Sequence, residues 1–217
     1  MPEKGKMIKY YEDLYEKYGY DHRSLDWKDP VGQRLRYSVL FDVVRYCEKQ
    51  ANFSMLDAGS GLGHFYGYLK EHGALGKLKA DYTGYDISPR LVEAARGKYP
   101  EAKFEVKDIL DGYFTKKFDY VFSCGVFNVR LSSVYEHDAF VKEMIMRMYE
   151  CCNAAAAFNF LSESGAKYAV NKDKESVYYY FKPEEIVEYV RQLSPRFILR
   201  QDYHPADFTV YLLKERR

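Results

Sequence analysis

Asp57, Gly59, Gly61 and Gly63 stand at alternate positions at the end of a short apolar run, residues 52–57 (NFSMLD). Glycines let the backbone bend sharply and approach a ligand closely, because no Cβ intervenes. If a helix follows, its free N–H groups suit an anionic or polar part of that ligand. Two further acids close later runs: Asp86 ends residues 82–86 (YTGYD) and Asp108 ends residues 103–108 (KFEVKD). A carboxylate has two acceptor oxygens, so each can take hydrogen bonds from a polar ligand. Three acids at successive run ends outline a site for a polar small molecule, although acids also cap strands without binding anything.

The elements that must hold these residues alternate along the chain. Behind the glycines, Leu62, Phe65, Tyr66 and Leu69 recur at helical spacing. Ser88-Pro89 is an N-cap and N1 pair for a helix carrying Leu91, Val92 and Ala95. Residues 118–123 read as a fourth strand, Phe140, Val141, Met144, Ile145 and Met148 as the face of a helix, and residues 154–161 as a fifth strand. The polar stretch 162–176 is too long for a routine connection and reads as a lid or insertion. Pro183-Glu184-Glu185 opens another helix, its acids in the first turn where the dipole favours them. The last strands, 196–200 and 208–213, are separated by too few residues for a helical crossover and should pair antiparallel. Residues 8–18 and 30–48 read as helices, the second started by Asp29-Pro30 with Val31, Leu35, Val39 and Val43 as its stripe. Strand–helix alternation implies parallel pairing with right-handed crossovers. Residues 1–50 are expected to form a helical cover and residues 51–217 the core of one structural domain.

Composition narrows the function classes. Lys plus Arg number 33 against 32 Asp plus Glu, so the net charge of +1 gives no global attraction to nucleic acid or anionic membrane. No run approaches the roughly 18 apolar residues of a membrane span. The start, MPEKGKMIKYYEDLYEKYG, lacks the apolar region of a secretory signal. Cys47, Cys124, Cys151 and Cys152 show no metal-ligand spacing. The expectation is a cytoplasmic protein with reduced thiols, no metal, no nucleic acid or membrane partner, and homodimerisation left open. There are 23 tyrosines beside 14 phenylalanines and one tryptophan. Tyrosine supplies aromatic area with a polar tip, suited to small-molecule pockets as well as to ordinary half-buried packing.

Two cofactor classes use a glycine turn after a strand. A dinucleotide fingerprint, G-x-G-x-x-G/A, fits Gly59 and Gly61 but meets the bulky His64 at its third position. The full combination, Asp57-x-Gly59-x-Gly61-x-Gly63 followed by Asp86 and Asp108, resembles the class I S-adenosylmethionine-dependent methyltransferases. More narrowly, Gln33-Arg34-Leu35-Arg36-Tyr37 and Ser123-Cys124-Gly125-Val126-Phe127-Asn128 are similar to motifs of a broad group of bacterial small methyltransferases, over most of residues 25–214. The resemblance implies a Rossmann-like, doubly wound α/β fold with a seven-stranded sheet, mostly parallel with a C-terminal antiparallel strand. It also implies S-adenosyl-L-methionine as cofactor. Its binding residues would be Asp57, Gly59, Ser60, Gly61 and Gly63, with Asp86 and Ile87 at the ribose, Asp108 and Ile109 at the adenine, and Cys124 near the methyl group.

Arg36 is a candidate for the methionine carboxylate, since a guanidinium fork matches a carboxylate; a solvated helix charge is the alternative. A sulfonium is already an activated leaving group, so the reaction needs a positioned nucleophile more than a strong base. No universal catalytic residue is therefore expected. His22, Asn128 and Tyr11 are the candidates, in segments that also carry Trp27, Arg130 and Tyr178, Tyr179 and Tyr180. For His22, His64 and His137 an ordinary packed or surface histidine is the competing reading. The absence of an Asn/Asp-Pro-Pro-Tyr run after strand four weighs against amino-methyltransferases of DNA bases and glutamine. The expected activity is methyl transfer to a small-molecule acceptor; a nucleotide-dependent oxidoreductase and a non-catalytic cofactor-binding relative are the alternatives.

Overall fold

The computed structural model describes residues 2–112, 116–130, 133–168 and 177–215. Part of the stretch expected to be a lid, residues 169–176, lies outside the described residues, as do Arg216 and Arg217. Seven strands form one sheet: β1 (Ser54–Ala58), β2 (Asp81–Asp86), β3 (Lys103–Val106), β4 (Phe118–Ser123), β5 (Cys152–Leu161), β6 (Phe197–Arg200) and β7 (Asp207–Leu213). Their spatial order is β3-β2-β1-β4-β5-β7-β6. The first five pair in parallel, and β7 runs antiparallel between β5 and β6. This is the doubly wound Rossmann-like arrangement, with the antiparallel strand at the C-terminal end of the chain.

Alternation along the strands sends side chains to two cores. Leu56, Val121, Ala156 and Phe158 face one, while Met55, Tyr120, Phe122, Ala155 and Ala157 face the other. Helix α6 (Val134–Cys151) and helix α7 (Pro183–Leu193) cover the first side with Val141, Ile145, Met148, Ile186 and Val190. Helices α2 (Pro30–Phe41), α3 (His64–Glu71) and α5 (Pro89–Lys98) cover the second with Leu40, Phe65, Leu69 and Val92, and the short α4 (Ala74–Leu78) lies beside α3. Each fully buried side chain of this size contributes about 1.5–3 kcal/mol.

The caps follow the sequence signals. Asp29 accepts the Gly32 N–H at 2.7 Å, with Pro30 at the first helical position. Ser88 accepts the Leu91 N–H at 3.1 Å. Ser133 accepts the Glu136 N–H at 3.1 Å and donates to the Glu136 carboxylate at 2.8 Å.

Most strands differ from expectation by a residue or two, and β3 ends at Val106, so Asp108 lies in the turn past the strand it was expected to close; two helices differ more. The helix expected over 30–48 stops at Phe41 and tightens into a 3-10 turn, Asp42–Tyr46, whose Val43 and Val44 remain buried. Helix α1 spans Pro2–Tyr18 instead of starting at residue 8. Its first turn carries no apolar repeat, and the tertiary contacts of Lys4 with Asp108 and Asp111 account for its order better than propensity does. Among the described residues, no helix is long and apolar enough to cross a membrane, and no group of three or more His, Cys, Asp or Glu is placed to hold a metal.

Candidate active site

Parallel strands leave their carboxyl ends on one edge of the sheet, and a cavity of about 940 Å³ opens there beside the switch point between β1 and β4. The ends of β1 and β2 supply Asp57 and Asp86 to its wall, and the turn just past β3 supplies Asp108. Helix α1 lies across the opening and lines it with Lys4, Met7, Ile8, Tyr11, Leu14 and Tyr18, one face at helical spacing. Polar contacts tether that helix. Lys4 Nζ is 2.9 Å from Asp108 and 3.2 Å from Asp111, Ser88 Oγ donates to Glu12 at 2.6 Å, and Arg90 pairs with Glu16 at 3.1 Å.

The glycine turn is built as a rigid bend. The N–H groups of Gly59 and Ser60 both donate to the Tyr85 carbonyl, at 2.8 and 2.9 Å. Gly59 has φ +84°, and a Cβ there would overlap Val126. Gly61 has φ +51° with Leu25 packed where its Cβ would be; both conditions exclude a larger residue. The Gly61 N–H donates to Asp86 at 2.8 Å, and the other Asp86 oxygen accepts the Ser88 N–H at 2.9 Å. Burial pushes the Asp86 carboxyl up from its usual range, against the pull of these backbone bonds. Asp57 is buried and accepts the Tyr82 hydroxyl at 2.6 Å. Burial raises its pKa to about 7, opposed by the Tyr82 bond and reinforced by the charge of Asp86. Ser60 Oγ is buried with no partner among the described residues, and Gly84 of β2 leaves the space it occupies.

The other end of the cavity is assembled from distant segments. Tyr10 donates to Asp26 at 2.6 Å, and Tyr178, 152 residues further on, donates to the same carboxylate oxygen. Trp27 packs over Gly125, just beyond β4. Arg36 is buried and grips Asp207 with two donors, Nε at 2.9 Å and Nη2, while its Nη1 donates to the Gly32 carbonyl at 2.8 Å. Its guanidinium also lies 5.2 Å from the Trp27 ring centroid. His204, on the β6–β7 connection, places Nδ1 2.6 Å from Asp207.

A model of the methyltransferase domain matches residues 49–188. A Mycobacterium tuberculosis protein assigned as a methyltransferase, Rv1506c, is 30% identical over 163 residues, 75% of this chain and 93% of that protein. The chain belongs to the class I methyltransferase family. Solved structures agree in fold. The plantazolicin methyltransferase BpumL, in complex with S-adenosylhomocysteine, superposes with a TM-score of 0.67 at 16% identity, covering 98% of this chain and 99% of that one. Magnesium protoporphyrin IX methyltransferase of Synechocystis, with bound S-adenosylhomocysteine, gives 0.66 at 16% identity, covering 98% and 100%. The N-methyltransferase NodS of Bradyrhizobium japonicum, in complex with the same ligand, gives 0.62 at 16% identity, covering 94% and 98%.

Most of the residues expected at the methyltransferase site line one cavity: Asp57, Gly59, Ser60, Gly61, Asp86, Ile87, Asp108, Ile109, Cys124, Arg36, Tyr11 and Asn128. Three placements differ in kind from the expectation. Gly63 is not on the cavity wall; its φ of +75° turns the vacant Cβ position toward the Phe104 and Tyr99 rings, so it serves helix packing. His22 also lies off the wall, with Nδ1 3.2 Å from Asp21. Arg36 is neither a solvated charge nor an unpaired fork, because Asp207 takes two of its donors.

Asn128 lines the cavity, but its Oδ1 accepts the Leu161 N–H at 3.0 Å, tying the β4 tip to β5. Burial drives the Cys124 thiol well above its ordinary value, with Asp57 and Asp207 adding to the effect, so it is a poor nucleophile. His64 and His137 are packed histidines, each lowered to about 4 by burial. The sequence reading missed Lys4, Asp26 and the His204–Asp207 pair. Only the last has a local signal, a histidine three residues before an acid that opens a strand.

Proposed function

We propose that this methyltransferase moves a methyl group from S-adenosylmethionine to a small-molecule acceptor, with both held in the one cavity beneath α1. The observation that carries the reading is the set of three carboxylates at or just past the ends of β1, β2 and β3, beside a bend that admits only glycine. The donor set suits the cofactor. The Asp86 carboxylate accepts the backbone N–H groups of Gly61, Ser88 and Ile87, and its two oxygens together still leave an acceptor site for a ribose hydroxyl. Ile87, Leu91, Ile109 and Leu110 offer apolar walls to an adenine, with Asp108 at its edge. The buried, unpartnered Ser60 Oγ is a ready donor beside the bend.

When bound, S-adenosylmethionine supplies a sulfonium whose methyl carbon is activated toward in-line displacement. The chain's task is then to hold the acceptor in line and keep water out. Residues 1–50 serve as the cover over a core of residues 51–217, since the α1 face and Trp27 close the cavity that the strand tips open. Acceptor specificity falls to the far end, where Asp26, Trp27, Tyr178 and Tyr180 line the wall.

Calorimetric titration tests the cofactor assignment. S-adenosylhomocysteine is expected to bind and to raise the melting temperature, whereas NAD and NADP leave it unchanged. Binding of a dinucleotide with no response to S-adenosylhomocysteine refutes the assignment.

A further inference from the structure

We infer that Asp26 is a positioning residue that ties the acceptor's wall to the cofactor's seat, so that a ligand lying against the glycine bend holds residues 177–181 in place for the acceptor. This rests on the methyl-transfer reading above and adds to it a coupling between the two ligands.

Three segments meet at this one carboxylate. Asp26 closes the 3-10 turn His22–Leu25 in the left-handed region, at φ +57°, where its N–H donates to the Arg23 carbonyl at 3.0 Å. A short polar side chain tolerates that conformation. The residues on either side of it are seated on the sheet edge. Leu25 Cδ2 lies 2.9 Å from where a Cβ on Gly61 would be, and Gly61 is the residue whose N–H binds Asp86. Trp27 comes within 3.0 Å of the corresponding point on Gly125, just past β4. Asp26 therefore stands between a side chain on the bend and one at the β4 tip, and all three line the cavity. From α1, Tyr10 donates to Asp26 Oδ2 at 2.6 Å; from residues 177–181, Tyr178 donates to the same oxygen. Burial pushes both hydroxyls up, with the bond to Asp26 and its charge adding to the effect, so both keep their protons and act as donors.

Residues 177–181 form an extended strap against the loop after β4. The Arg130 N–H donates to the Val177 carbonyl at 2.8 Å, the Tyr179 N–H to the Asn128 carbonyl at 2.9 Å and the Phe181 N–H to the Leu161 carbonyl at 2.8 Å. Alternation along an extended chain then splits its side chains between two faces. The Tyr179 and Phe181 rings turn inward, with centroids 4.4 and 5.6 Å from that of His137. Tyr178 and Tyr180 line the cavity. The aromatic face that the strap offers an acceptor is thus tied, through the Tyr178 hydroxyl, to the turn that sits on the glycine bend.

A ligand seated at the bend meets that turn at Leu25, and whatever steadies the turn steadies Tyr178 through the shared carboxylate. Hydrogen bonds to a charged oxygen are directional and stronger than neutral ones, which suits them to fix a position. The coupling is reciprocal: an acceptor that fixes the strap favours the bound cofactor by the same factor.

Residue-resolved amide exchange on the full chain tests this, with S-adenosylhomocysteine as the probe. In the parent the ligand should slow exchange at Arg130, Tyr179 and Phe181 by about tenfold, within the roughly 5- to 150-fold span of such couplings. Tyr178→Phe keeps the ring and removes the donor, while Asp26→Gly removes the acceptor and suits the left-handed backbone. In both variants the ligand-dependent slowing should vanish at these three amides, with Gly61 and Ser88 still responding. A bond that merely holds the strap in place would lower its protection equally with and without ligand. Tyr178→Phe and Asp26→Gly straps that still gain the parent's protection from the ligand therefore overturn the proposal, as does a parent strap that ignores the ligand while Gly61 responds. If S-adenosylhomocysteine does not bind the parent at all, the methyl-transfer reading falls and the coupling with it, which separates the two failures.

Discussion

The two ends of the cavity are built by opposite means. At the β1–β3 end the acids are held by neighbouring turns and strands: Asp86 by Ser88 and by Gly61 of the adjacent bend, Asp57 by Tyr82 of the adjacent strand, and Asp108 by Leu110 two residues on, with Lys4 of α1 the remote addition. At the β4–β7 end the polar contacts join segments that are remote in sequence. Tyr178 reaches Asp26 across 152 residues, and Arg36 reaches Asp207 across 171. A local device can be kept intact while the rest of the chain changes, as suits a constant cofactor. A device made of remote parts is retuned by any one of them, as suits a varied acceptor.

Breaking the remote end should cost the most. Asp207→Ala strands the buried Arg36 without its counter-charge and should lower stability by about 3–5 kcal/mol, read from urea unfolding. A loss below about 1 kcal/mol would mean that the pair is no more than a surface contact. Next comes the pH dependence set by Asp57. Its folded pKa of about 7 lies well above the usual carboxylate range, so folding favours the protonated form. The contribution is complete below about pH 4 and fades as pH rises through 7, worth a few kcal/mol at about 1.4 per unit. Asp57→Asn should therefore gain stability relative to the parent as pH climbs across that window. Parallel curves would place the titration elsewhere.

Asp86→Ala breaks the local end. Removal of a charged acceptor is worth about 1.5–3 kcal/mol, so affinity for S-adenosylhomocysteine should drop about 10- to 100-fold in a calorimetric titration of the folded variant, whose melting temperature also falls as the Gly61 and Ser88 N–H groups lose their acceptor. If affinity holds, the ribose is recognised elsewhere.

The same contrast explains what could be read in the chain. The strands and the antiparallel last pair follow from periodicity and connection length, whereas the spatial order of the strands is visible only in the folded sheet. The glycine bend and the acids of β1 to β3 are spelled in short contiguous motifs. Gly63 belonged to the motif but not to the cavity, because spacing cannot tell a glycine that clears a ligand from one that clears Phe104. Arg36 was singled out for its fork, yet the fork's partner lies at the far end of the chain, where no spacing rule connects them. Lys4 and Asp26 gave no local signal, for what they touch is decided only when α1 settles over the sheet.

Lys4 is the one described side chain by which the cover grips an acid assigned to adenine, and it supplies the smallest test. Its ammonium lies 2.9 Å from the Asp108 oxygen that the Leu110 N–H leaves free. The acid raises the Lys4 pKa, so the lysine is charged throughout the neutral range. An adenine amino group arriving at that oxygen must share it with the ammonium. Lys4→Met keeps the length of the side chain and its helix propensity but removes the competitor. As a part-exposed pair it is worth no more than about 1 kcal/mol, so S-adenosylhomocysteine should bind up to about fivefold tighter at low salt, the gain shrinking as salt screens the parent's ion pair. Weaker binding in Lys4→Met would reverse the relation between the two regions, making Lys4 part of the cofactor's own grip and α1 an element of the local end.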